Sequence, residues 1–420
     1  MKCRPESRSY SSQVAPREPD SVDDILQQAL AQLISGDFNT QWQAAKSLKV
    51  MGESAHPALM KIAEDTTTDP DVLCFISEIL GANPSPDAIL ALVLLLKRTT
   101  SEEVQDSVIM TLAKQGPSCV EQLLPYAEQP SLQKSVLKAL IQINHPTTIA
   151  GLMFFAEHKD SDLRAIALEG LGQFHSPEIL ELLLEGLQDR SAMVRANCTK
   201  ALGLRLTHEV SEDLVQGLLP LLNDPDPKVR SLTAKALGRV NQDSAIEGLW
   251  QCLLNQPELS LFCSDLLQAL GWARHPKGVQ YLLKLLCSSH AGESNSLQFD
   301  WTTGLLIELI QVLGSIHQPD YAANIEQALT PLVMSSSFPF DQFEVKQRLI
   351  MAIAHLKQET SIDSLIQALA ISEERFRFHL IAALKGINAE KCHEQLTAKS
   401  QDSTLDAELA DGIEFALKEW

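Results

Sequence analysis

The sequence predicts an all-α fold, an α-solenoid (superhelix) of about twelve stacked helical pairs. Three observations predict it. A motif recurs along the chain in steps of roughly thirty to forty residues. Apolar residues inside each copy fall at helical spacing. The composition, 45% hydrophobic but only 5% aromatic and rich in Leu and Ala, suits helix packed on helix.

The clearest copy opens on Asp224, Pro225, Asp226 and Pro227. Acidic groups there favour the positive end of a helix dipole, and a proline in the first turn loses no needed N–H. Val229, Thr233, Ala236, Leu237 and Val240 then form one apolar stripe, and Ile246, Leu249 and Leu253 begin a second amphipathic helix. The frame repeats over Asp160–Gly172, with Leu163, Arg164, Ala167, Gly170 and Leu171, and over Arg190–Gly203, with Val194, Arg195, Ala201 and Leu202. With Leu237 as the register mark, its counterparts are Leu48, Leu80, Leu112, Leu140, Leu171, Leu202, Leu270, Leu313, Ile353, Leu384 and Leu417.

One pair cannot cover its own apolar stripes, so pairs stack and bury a continuous core. The expectation is one repeat domain over residues 21–420, best matched at 160–271. The final helix, with Asp406, Glu408, Asp411, Glu414 and Glu419, is expected to be a polar terminal cap. Residues 1–20 mix Arg, Glu, Ser and Pro without the apolar run of a signal peptide and are expected to form a disordered tail. No stretch reaches the roughly 18 apolar residues of a membrane span, so a soluble, cytoplasmic protein is expected.

A net charge of −20 and a pI near 4.9 argue against a general nucleic-acid binder. The eight cysteines contain no C-x-x-C pair, which removes zinc-ribbon spacing and leaves most of them as small buried hydrophobes.

The run D-P-D-P-x-V-R followed by A-L-G and A-I-x-x-L resembles the HEAT repeat, in its shorter bacterial form called the phycobilisome-lyase-type repeat. The resemblance implies that the helix bearing V-R and A-L-G lines a concave surface and that its arginine joins a ladder along the stack. The ladder arginines are Arg164, Arg195, Arg230 and Arg377; Lys346 substitutes conservatively, and Gln105, Gln133, Cys263 and Leu306 interrupt it.

Enzymes also use this scaffold. HEAT-repeat deoxyhypusine hydroxylases hold two irons with His-Glu pairs on several inner helices, whereas here only His208-Glu209 and His393-Glu394 occur, both expected in turns. His145, His175, His275 and His317 each stand just before a proline, which fits a turn residue ahead of the next helix better than a metal ligand, because stacked helices lie about 8–10 Å apart. No G-x-S-x-G, H-E-x-x-H or P-loop pattern is present, and no catalytic residue or metal ligand is assigned.

Two departures from the repeat point to binding. Insertions near 288–300 and 335–341 place Phe299, Trp301, Phe338 and Phe340 at one edge, either as exposed partner anchors or as rings that plug a loose joint. On the inner helices the position of Lys235 also holds Lys138 and Lys200, with Arg239 nearby, while the outer helices are acidic; the row is either a recognition surface or ordinary solvation. The function read from this is a non-catalytic protein-interaction scaffold, adaptor or assembly factor that meets another protein through the concave face or the aromatic edge, with no nucleic acid and no cofactor. The alternative implied by the repeat type is an E/F-type phycobilin lyase, in which Lys138, Lys200, Lys235 and Arg239 would receive the propionates of a transiently bound linear tetrapyrrole and Trp272 would stack on it.

Overall fold

The computed structural model describes residues 22–65, 67–206, 211–256, 261–290, 302–371, 373–402 and 404–420. The predicted tail, His208-Glu209, and Phe299 and Trp301 with most of the first insertion lie outside them. Among the described residues every regular element is helical, and the chain divides into two compact units, residues 1–171 and 172–420.

The first unit runs α1 (Val22–Ser35), α2 (Phe38–Met51), α3 (His56–Ala63), α4 (Pro70–Ala82), α5 (Pro86–Arg98), α6 (Glu102–Lys114), α7 (Val120–Leu123), α8 (Gln133–Ile143), α9 (Ile149–Ala156) and α10 (Ser161–Leu171). The second runs α11 (Pro177–Gly186), α12 (Ala192–Arg205), α13 (Glu212–Leu218), α14 (Pro227–Leu237), α15 (Asp243–Leu254), α16 (Leu261–Trp272), α17 (Pro276–His290), α18 (Thr303–Gly314), α19 (Pro319–Leu329), α20 (Phe343–Leu356), α21 (Ile362–Gln367), α22 (Glu374–Ser400) and α23 (Ala407–Lys418). In each unit the even-numbered helices pack on one another in succession and form a first layer, ending in the second unit on α22 and α23. The remaining helices after α1 form the second layer, and each unit is thus a solenoid stack. Asn388 has extended backbone inside α22 and splits it into a first-layer and a second-layer half. His393 and Glu394 therefore sit in a helix and not in the expected turn, because the chain resumes helical geometry immediately after Asn388.

Local chemistry starts the helices where the sequence indicates. Asp69, Ser85, Ser176 and Asp226 each accept a backbone N–H of the first turn, and Pro70, Pro86, Pro177 and Pro227 follow them at a position that needs no donor. His145 and His275 use Nδ1 in the same way, accepting from the N–H of Thr147 and Lys277. Every register residue from Leu48 to Leu384 is 0% exposed, and only Leu417, on the terminal helix, is half-buried.

The residue after the register leucine sets the spacing of the first layer. A Cβ on Gly238 would lie 2.7 Å from Ala269 Cα, and one on Gly314 would lie 2.7 Å from Ala352 Cα. Ala269 and Ala352 directly precede the next register residues, Leu270 and Ile353. At these two joints the glycine of one helix receives the alanine of the next, and backbones approach more closely than side chains would permit.

Beside this seam runs the arginine ladder. Arg195 donates from Nε and Nη2 to the two oxygens of Asp224 at 2.7 and 2.8 Å, and from Nη1 to the Asp189 carbonyl at 2.8 Å. Asp224 Oδ1 also accepts the Asp226 N–H at 2.8 Å, and Arg230 closes on the Asp224 carbonyl at 2.8 Å. Burial alone would raise the Asp224 carboxyl, but the Arg195 and Asp226 hydrogen bonds and the charges of Arg195 and Arg230 outweigh it and hold the group below its ordinary range. The first aspartate of D-P-D-P is therefore the acceptor of the preceding repeat's arginine, and the second is the helix cap. Arg377 repeats the logic, binding the Leu369 and Ile371 carbonyls and Asp411 at 2.7 Å. Arg230 lies over Phe262 at 5.4 Å and Lys346 over Phe376 at 5.7 Å, each a ring on the next first-layer helix. Gln133 keeps a neutral rung, 3.3 Å from His158 Nε2, whereas Cys263 and Leu306 are buried in the core.

The second layer is pinned by polar contacts as well. Tyr281 donates to Glu247 at 2.6 Å and stacks on Trp250 at 4.6 Å, tying α17 to α15. The Glu247 hydrogen bond, with burial, pushes the Tyr281 hydroxyl up to about 12.

Two outcomes are expected. Gly238→Val should lower the thermal midpoint by the equivalent of about 1–3 kcal/mol of overpacking, whereas Gly304→Ala, where a Cβ meets nothing within 4 Å, should be neutral or stabilising by about 0.4–1 kcal/mol; paired melting curves read both. Arg195→Ala should cost roughly 3 kcal/mol at neutral pH. Because the folded Asp224 carboxyl is depressed, its contribution is complete above the ordinary carboxylate range and is lost as pH falls through the depressed value. Denaturant midpoints across pH should therefore show the two proteins converging on the acid side.

Candidate partner-binding face

Burial of the register leucine decides which first-layer residues reach solvent. Two residues before it lies the row that the sequence singles out for cations, and the structure pairs much of it internally. Lys138 meets Asp106 of α6 at 3.4 Å, and Lys235 meets Asp265 of α16 at 3.2 Å. Gln268 donates to Glu308 of α18 at 2.7 Å, continuing the same helix-to-helix bracing. Lys200 is exposed in α12.

The row two residues after the register leucine behaves differently. Leu204 of α12, Arg239 in the turn just after α14, and Trp272 at the end of α16 occupy it, and all three are exposed, Leu204 by 54% and Trp272 by 49%. Among the described residues Arg239 has no carboxylate in ion-pair range. The row continues through Ser315 and His355 of α20 to Gly386 of α22. Sequence reading selected Arg239 and Trp272 separately; the register arithmetic that places them with Leu204 and His355 in one line was already available from Leu202, Leu237, Leu270 and Ile353.

At the end of that line the second unit opens into a groove of about 740 Å³ between α20 and α22. Its rim is His317, Gln347, His355, Lys357 and His379, and its wall is Met351, Ala354, Ala382, Ala383 and Gly386. Lys357 ends α20 in the left-handed region, with φ 52°, and its N–H bonds the Ala354 carbonyl. The His379 ring leans on Phe343 with centroids 6.0 Å apart. Apart from His317, noted only as a turn residue, the polar rim was not anticipated.

The aromatic edge is divided. Phe338 is 72% exposed, but Phe340 is 0% exposed, so the expectation of Phe340 as a surface anchor is corrected. The turn after residue 335 folds its ring back into the core, which is the plugging role. The chemistry of the remaining nucleophiles is equally plain: burial pushes the Cys119 thiol up to about 11 and that of Cys198 up to about 12. Among the described residues no group of three or more His, Cys, Asp or Glu side chains is arranged to hold a metal ion, and no helix is long and apolar enough to cross a membrane.

A protein-family model for HEAT repeats matches residues 117–203, 149–218 and 180–261, so the central part of the chain consists of HEAT repeats. The phycobilisome-lyase subtype is a finer statement than this match makes. No curated protein sequence matches the chain. Among solved structures, a chain of the Kap95:Nup1 complex is similar with a TM-score of 0.64 at 12% identity, over 94% of this chain and 61% of that one. A Kap121p mutant is similar with a TM-score of 0.55 at 14% identity, over 89% of this chain and 46% of that one. The chain thus spans about three-fifths or less of the length of these two proteins. At such identities the likeness is one of fold.

Proposed function

We propose that this chain of HEAT repeats is a protein-interaction scaffold whose first-layer face in the second unit holds a partner protein. The observation that supports it is the row of Leu204, Arg239 and Trp272, exposed on or just beyond the ends of three successive first-layer helices. Trp and Arg are the residue types that dominate interface energetics, and a large apolar ring left half in water gains most from being covered. The similar Kap95 structure, solved with Nup1, is a protein assembly on this fold.

Within this reading the charge row has a support role. Lys138 and Lys235 brace neighbouring helices through Asp106 and Asp265, while Arg239 offers its guanidinium to the partner. Exposed Phe338 extends the apolar contact surface at the edge of the second layer. The partner is proposed to be another protein reached in a soluble compartment, the cytoplasm.

Affinity capture with the wild-type chain and with Trp272→Ala/Arg239→Glu tests the proposal. The double variant should melt like wild type, because both side chains are exposed, and should bind the captured protein about a hundredfold more weakly, two hot-spot losses of about 1.4 kcal/mol each. Unchanged affinity in a folded double variant would overturn it.

A further inference from the structure

The groove between α20 and α22 has a chemistry of its own. Lys357 stands at one end. Arg348 lies one turn before Met351 on the same face of α20, and Arg375 lies one turn before His379 on α22. All three cations are exposed, and among the described residues none of them makes an ion pair. This contrasts with Lys138 and Lys235, which the fold neutralises. Among the acidic groups on these elements, Glu359 is held by Lys391 and Asn388 at 2.6 and 2.7 Å and Glu308 of α18 accepts from Gln268, while Glu344, one turn before Arg348, and Glu373 and Glu374, beside Arg375, lie at the helix starts outside ion-pair range.

In a chain of net charge −20, unpaired cations around a recess make a local reversal of potential. The wall between them is apolar and small, with one adaptable thioether at Met351. Imidazoles on the rim can each donate and accept a hydrogen bond. We propose that this groove receives an acidic peptide segment of the partner protein, with one aliphatic side chain seated against Met351 and Ala382 and its carboxylates reaching Lys357 and Arg348. The inference rests on the scaffold reading and names the segment that the face recognises. A peptide fits better than a nucleic acid, because among the described residues no Phe, Tyr or Trp lines the groove to stack a base, and a polyanion would be repelled by the rest of the chain.

The test is fluorescence anisotropy of the full chain with a labelled peptide of alternating Asp and Leu, alongside its Asn-for-Asp and Ala-for-Leu counterparts and a single-stranded DNA oligonucleotide. The parent peptide should bind tightest, and Lys357→Glu/Arg348→Glu should weaken it by about tenfold, since each exposed pair is individually weak and reversal adds repulsion. If melting shows that the reversal variant is misfolded, Lys357→Gln/Arg348→Gln replaces it and should give a loss of about threefold. Failure of the parent peptide to bind, equal binding of the Asn counterpart, or tighter binding of the DNA would each overturn the proposal. A peptide weakened only by Trp272→Ala/Arg239→Glu would also overturn it, while leaving the scaffold reading in place.

Discussion

The close approach of successive first-layer helices is the constraint on which the other features depend. Gly238 against Ala269 and Gly314 against Ala352 leave no room for even a methyl group between them. Once that seam is set, the register leucines have no exit to solvent and become the core. Each helix pair gains its burial from its neighbours, so stability is a sum of adjacent contacts and not the property of one central core.

The ladder follows from the same spacing. Helices held this close bring Arg195 within bidentate reach of the Asp224 that opens the next repeat, and its hydrogen bonds and charge depress the carboxyl against the opposing effect of burial. Among the described residues Arg230 and Lys346 meet aromatic faces of the next first-layer helix. A cation in that frame is thus retained by more than one kind of partner, which explains why the motif tolerates change around it. The seam also dictates what is left outside: positions two residues after the leucine project from the face, whereas those two residues before it are close enough to brace neighbouring helices.

Much of this was legible in the sequence because helical periodicity and A-L-G spacing are local signals. Leu48 through Leu384 could be placed by counting, and each is buried as the count requires. The pairing of Lys138 and Lys235 with Asp106 and Asp265 was not legible, since it depends on the rotation of one helix against the next, which spacing along the chain does not specify. Phe340 failed for a related reason: composition cannot tell a ring that leaves the turn from one that re-enters it, and Phe338 and Phe340, two residues apart, do opposite things. The groove escaped notice because His317, Lys357 and His379 come from three separate segments, and only packing gathers them.

The central claim is that stability here is passed between adjacent first-layer helices. Native-state hydrogen exchange on Gly314→Val tests it most directly, because protection is read helix by helix. The account predicts accelerated exchange in α18 and α20, which share the disturbed contact, with α12 and α14 retaining wild-type protection. A uniform loss of protection across the whole second unit would contradict it, since that would mean that a single cooperative core, and not a chain of neighbour contacts, holds the helices together.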